Sequence, residues 1–151
     1  MARAVLPAAL ASLAGTGCGG AAHQLSHAQF SARTELICAA EGRKLGYIRE
    51  RARDRGLGPR APAVLRKEAA ASRAATEALE RVARPGGEET EIKRWLTART
   101  VAATIAIDLA EAPSGKHAAA VSAVAVELQR ARARARSLSG TFGGRACDAA
   151  V

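Results

Sequence analysis

The feature that most constrains this chain is a seam near its C-terminal end. His117, Val121, Val124, Leu128, Ala131, Ala135 and Leu138 follow one another at alternating steps of four and three residues. That spacing lines side chains along one face of a helix and lets the face lie against a neighbouring helix. Nowhere do Val, Ile, Thr, Tyr, Phe and Trp alternate with polar residues between turn signals, so a sandwich, a barrel or a doubly wound sheet has no strands to draw on. The chain reads as all-α. About a quarter of its residues are alanine, and Leu, Ile, Val and Phe together supply only about a fifth. Alanine is the best helix former and loses no side-chain entropy on ordering, so the composition predicts helices packed closely through small side chains around a thin core.

Three further stretches carry helical patterns. Ser26 and Gln29 form a capping box, and Leu25 and Phe30 flank it as a hydrophobic staple. Phe30, Ile37, Glu41, Leu45, Ile48 and Ala52 then recur on one face, which predicts a helix over residues 26–55 that ends at Gly56-Leu57-Gly58-Pro59. Gly42 inside it predicts a small kink or a close packing contact. Pro62 opens a second helix, where a missing N–H is harmless, with Val64, Leu65, Ala69, Ser72, Ala75, Leu79 and Val82 on its face. Arg84-Pro85-Gly86-Gly87 stops it. A third begins with Glu88, Glu89 and Glu91, negative charge at the positive end of the helix dipole. It presents Ile92, Trp95, Leu96, Ala103, Ile105 and Leu109, and ends at Pro113-Ser114-Gly115. The seam makes the fourth helix, and a Gly-rich tail, Gly140-Thr141-Phe142-Gly143-Gly144-Arg145-Ala146-Cys147, follows. Short links between long helices favour antiparallel neighbours, which predicts an up-down-up-down four-helix bundle over residues 26–151.

Residues 1–25 read as a leader and linker. A short basic start at Arg3 precedes an uncharged apolar run over residues 4–14 and a small-residue zone over residues 15–22, the order of an export signal too short to span a bilayer. Cys18 closes that zone as the lipidated cysteine of a lipobox does, although Gly15 stands where leucine is favoured. The alternatives are ordinary cleavage after Ala14 or Ala22, or an Ala/Gly tail on a cytoplasmic protein. Once Cys18 is acylated or removed, Cys38 and Cys147 remain as an even pair, for which a disulfide is the economical use in an oxidising compartment. Two buried free thiols are the other use. The tail after Ser139 is long enough, if extended, to bring Cys147 to Cys38.

The stretch Phe30-Ser31-Ala32-Arg33-Thr34-Glu35-Leu36-Ile37-Cys38-Ala39-Ala40-Glu41-Gly42-Arg43, the pair Trp95-Leu96 and the ending Gly143-Gly144-Arg145-Ala146-Cys147 are similar to the corresponding parts of small exported or lipid-anchored helical proteins of high-GC actinobacteria. The resemblance covers most of the chain after the leader. It implies an envelope location, a helical fold and a Cys38–Cys147 bond, and no activity. Glu41-Gly42 departs from the family pattern, which has helix-forming or amide residues there.

Net charge is +9 and arginine dominates it. Arg49, Arg51, Arg53 and Arg55 end the first helix, and Arg130, Arg132, Arg134 and Arg136 end the fourth. An anionic partner such as an envelope polymer, a lipid or nucleic acid is one use of them. Cations favoured at helix C-termini are the plainer one. In an up-down bundle the two blocks are expected at opposite ends. Few aromatic residues are available to stack bases, so nucleic acid is the weaker partner.

His23 and His27 share a helical spacing with Cys18 nearby, but no zinc pattern supports a metal site, and His117 reads as a helix-end histidine. Pro113-Ser114-Gly115-Lys116-His117 lacks the first glycine, at Ala110, and the final hydroxyl of a phosphate loop. Trp95 lies in an apolar stripe and reads as a core anchor. Inward polar residues are few, Ser72 and Glu41. The sequence therefore predicts no catalytic, cofactor or metal residues, a disulfide between Cys38 and Cys147, and membrane attachment through Cys18. The expected role is a structural or interaction one at the cell envelope, with a cytoplasmic nucleic-acid-associated protein as the alternative.

Overall fold

The computed structural model describes residues 24–112, 118–142 and 144–150. Cys18, His23 and the segment 113–117 with His117 lie outside the described residues. Among the described residues there are five helices: α1 (His27–Asp54), α2 (Pro62–Glu80), α3 (Glu89–Glu111), α4 (Ala118–Ser139) and α5 (Gly144–Ala149). No strand occurs among the described residues.

Each boundary has a local cause. Ser26 caps α1, its hydroxyl accepting from the Gln29 backbone N–H at 3.2 Å while the Gln29 side chain accepts from the Ser26 N–H at 2.9 Å. Gly56 takes a positive φ of 68°. The N–H groups of Gly56 and Leu57 then fold back onto the carbonyls of Arg53 and Ala52, both at 2.9 Å, closing the last turn of α1. Pro62 is the first residue of α2, and Glu89 and Glu91 sit in the first turn of α3.

The four long helices pack in chain order, α1 on α2, α2 on α3 and α3 on α4. α1 has 28 residues, about 42 Å at 1.5 Å per residue. The link 55–61, at most roughly 25 Å if extended, cannot return the chain to the far end of α1. Consecutive packed helices therefore run antiparallel.

The ring of helices is not closed in the ordinary way. α1 and α4 make no close backbone approach, and α5 sits against both of them. The Gly-rich tail, long enough if extended to reach Cys38, is instead largely helical. It turns at Phe142 and forms α5, and Phe142, Cys147 and Ala150 enter the core with Phe30, Cys38, Leu79, Ile92, Trp95 and Leu96. A second cluster at the other end joins Leu65, Ala69, Ala103, Ala106, Leu109, Ala125 and Leu128. Large side chains thus dominate one end of the bundle and alanines the other. Gly42 makes no close packing contact, because a Cβ built there would meet nothing within 4 Å.

Candidate functional site

One face of α1 carries Thr34, Cys38, Glu41 and Leu45, all buried. These positions lie at steps of three and four, so a single stripe delivers two attachment points for α5 and one buried charge. Cys38 and Cys147 are joined in a disulfide across 109 residues of chain, with Cα atoms 4.8 Å apart. Hydrogen bonds also hold the tail. Thr34 Oγ1 donates to the Phe142 carbonyl at 2.9 Å, and Glu35 Oε1 accepts the Ala146 backbone N–H at 3.1 Å, placing a carboxylate at the start of α5. Asp148 receives the Ser139 hydroxyl, which fastens α5 to the end of α4. Trp95 is fully buried with its ring centroid 6.4 Å from that of Phe142. It is the core anchor its stripe predicted.

Below this clasp lies a charged interior. Arg99 of α3 donates from Nη2 to Glu41 Oε2 at 2.5 Å and from Nε to Thr76 Oγ1 at 3.2 Å. Both charged side chains are almost completely buried, 2% and 1% exposed. Glu41 titrates above the usual glutamate range, because burial penalises its charge by more than Arg99 and the nearby Ser72 hydroxyl favour it. The Arg99 guanidinium also lies over the Trp95 ring, 5.7 Å from its centroid. Glu41 Oε1, Arg99 Nη1 and Trp95 Nε1 are buried without a hydrogen-bond partner among the described residues.

Beside this pair, Glu68 of α2 gathers two arginines. Arg49 Nε donates to its Oε1 at 2.7 Å, and Arg132 Nη2 to its Oε2 at 3.2 Å. The two arginine blocks were expected at opposite ends of the bundle, and their inner members instead meet on one carboxylate. The cause is side-chain reach. Glu68 is 5% exposed and faces the gap between α1 and α4, where a long guanidinium from either helix reaches it. A narrow cleft results, lined by Glu41, Glu68, Arg49, Arg99 and Arg132 and by alanines of α2 and α3, with about 30 Å³ open to the centres of water-sized molecules. That is room for about two waters.

Arg99, Glu68 and Thr76 escaped the sequence reading. Their signal was positional: Arg99 falls between Trp95 and Ala102–Ala103 on the buried face of α3, and Glu68 between Val64–Leu65 and Ala71 on that of α2. An opposite charge, Glu41, already stood in the stripe of α1.

The histidine expectations resolve only in part. His27 lies in the first turn of α1 with Nδ1 3.0 Å from both oxygens of Glu88. Among the described residues no group of three or more His, Cys, Asp or Glu side chains is placed to hold a metal ion. None of the described helices is long and apolar enough to cross a membrane. Of the aromatic side chains, Phe30, Trp95 and Phe142 are buried and Tyr47 is 58% exposed, with Arg51 lying 5.5 Å over its ring. Comparison with known proteins returns no matching family model, no matching curated protein and no matching solved structure.

Proposed function

We propose that this chain is an exported helical module of the cell envelope, acting by interaction with an anionic partner and tethered to a membrane through Cys18. The observation that carries the reading is the Cys38–Cys147 disulfide. Structural disulfides persist in oxidising compartments and are rare in reducing ones. The signal-like order of residues 1–22 and the resemblance of the Phe30, Trp95 and Cys147 segments to exported helical proteins support it independently.

Surface chemistry supports the choice of partner. The chain carries 23 lysines and arginines against 14 aspartates and glutamates. Two of those acids, Glu41 and Glu68, pair internally with Arg99, Arg49 and Arg132, and the 20 cations and 12 acids that remain outside those pairs keep the rest of the chain strongly basic. Single-stranded nucleic acid is disfavoured because its binders use exposed rings for stacking, and three of the aromatic side chains are buried in the core.

The test is fractionation of the natural host with intact-mass measurement of the recovered protein. The expected product is found with membranes or outside the cell, begins at Cys18 with an acyl adduct or just after Ala14 or Ala22, and lacks two hydrogens for the Cys38–Cys147 bond. Mature protein recovered in the cytoplasm with an N-terminal peptide starting at Met1 or Ala2 would refute export.

A further inference from the structure

The outer surface between α3 and α4 holds a groove of ligand size, about 360 Å³. Its floor is apolar, made of Ala98, Val101 and Ala131, and Val101 is 45% exposed although it is a large aliphatic residue on a folded surface. Its rim is cationic. Lys93, Arg94 and Arg134 line it together with the hydroxyls of Thr90 and Thr97, and no carboxylate lines it among the described residues. None of the three cations has an ion-pair partner among the described residues, whereas Arg49, Arg99 and Arg132 are all engaged with carboxylates.

Position adds a second argument. Thr90, Lys93 and Arg94 belong to the first two turns of α3. That end of the bundle is also where α1 starts, as the His27–Glu88 contact shows. Gln24 lies at the same end, with its side chain against Gly86. Cys18 precedes Gln24 by six residues, at most roughly 20 Å of chain. A tether at Cys18 therefore keeps this end of the bundle, and the groove with it, within reach of the membrane surface.

We propose that the α3–α4 groove binds an anionic phospholipid, its phosphate held by Lys93, Arg94 and Arg134 and the glycerol and proximal acyl carbons resting on Ala98, Val101 and Ala131. This rests on the membrane-tethered reading above for its biological setting, but the binding chemistry does not depend on export. The three cations are opposite in sign to the anionic headgroup and can each donate to its phosphate, and the apolar floor matches the part of the lipid that a soluble anion lacks. The cationic groove at the opposite end, lined by Tyr47, Leu57, Arg51, Arg55 and Lys67, differs in that Arg51 is already bound to Tyr47, through a 3.1 Å hydrogen bond and the ring face.

The test uses the full chain and dihexanoyl phosphatidylglycerol below its micelle concentration, so that partitioning of residues 1–22 into a bilayer does not enter. Titration calorimetry should give saturable binding of one lipid per chain, with the phosphatidylcholine analogue and glycerol 3-phosphate each at least tenfold weaker. Each cation near a lipid surface is worth about a fivefold change in affinity, so Arg94→Gln with Arg134→Gln should weaken binding about 25-fold. Arg55→Gln with Lys67→Gln, which removes the same charge at the other end, should leave it within about twofold. Circular dichroism of both double variants, whose altered residues are exposed, checks that the fold is retained. Absence of saturable binding, equal loss in the two double variants, or glycerol 3-phosphate binding as tightly as the lipid would each overturn the proposal. Failure of export in the fractionation experiment with lipid binding intact would remove the setting and leave the site.

Discussion

Breaking the Cys38–Cys147 bond is the perturbation with the largest expected effect on this fold. The bond closes a loop across 109 residues. In the loop-entropy treatment a cross-link of that span restricts the unfolded chain by about 5 kcal/mol at 25 °C. That is comparable to the whole net stability of many small domains. The full loss applies when α5 stays docked after reduction, as the Thr34–Phe142 and Glu35–Ala146 hydrogen bonds allow, because the cross-link then acts on the unfolded chain alone. Each kcal/mol moves the melting temperature of a domain this size by roughly 3–4 °C, so full loss corresponds to a fall of about 15 °C. Thermal unfolding followed by circular dichroism, with and without a reducing agent, reads this directly. Cys38→Ser and Cys147→Ser should each reproduce the reduced protein, and the double variant should add nothing, because one bond cannot be removed twice. An unchanged melting temperature on reduction, additive single variants, or two free thiols counted in freshly denatured native protein would refute the reasoning.

Three further outcomes follow from the geometry. Gly42→Ala and Gly46→Ala should each raise stability by about 0.5–1 kcal/mol in urea unfolding, because both glycines are inside α1 and a Cβ at either meets nothing within 4 Å; destabilisation at either would mean that the helix bends there. Arg99→Met should cost about 3–5 kcal/mol by leaving Glu41 buried without its cation, while Arg99→Met combined with Glu41→Leu should recover most of it; a double variant no better than the single would show that the pair is not the source of the loss. Glu41 carries a raised pKa in the folded protein, so folding takes up a proton between the ordinary glutamate value and the raised one, and its contribution to stability falls as pH rises through that window. Wild type should therefore lose urea midpoint relative to Glu41→Gln as pH increases across it, and a relative gain would contradict the burial argument.

What the sequence made legible was the part governed by local rules. Ser26 and Gln29 specify a start, Gly56 and Pro62 specify a stop and a restart, and the three-four spacing from Val121 to Leu138 specifies the inward face of α4, with Leu128 and Ala135 buried and the others half-buried. Each depends on residues within one or two turns of one another. α5 was not legible. It has six residues and begins at a glycine with φ 59°, and an isolated helix of that length has no stability of its own. Its helicity comes from Glu35, Thr34 and Cys38, more than a hundred residues earlier in the chain. The convergence of Arg49 and Arg132 on Glu68 was hidden for a related reason: helix-axis arithmetic separates the two blocks, and the reach of two arginine side chains closes the distance.

The alanine content and the late helix are connected. Small residues let α2 approach α3 and α3 approach α4, but they do not fill the space in front of α1, and α1 and α4 stay apart. The fold closes that opening in two ways along its length. At one end the large side chains of Phe142 and the α5 wedge occupy it, and the disulfide holds the wedge. Further along, where Ala69, Ala102, Ala103 and Ala106 line the cleft, the arginines close it by pairing across Glu68 and Glu41. A larger aliphatic residue at Ala103 or Ala106 would fill the cleft and displace those guanidinium groups. The same lack of bulk that makes the core thin thus accounts for both features that a pattern of hydrophobic residues cannot display, the covalent clasp and the buried charges.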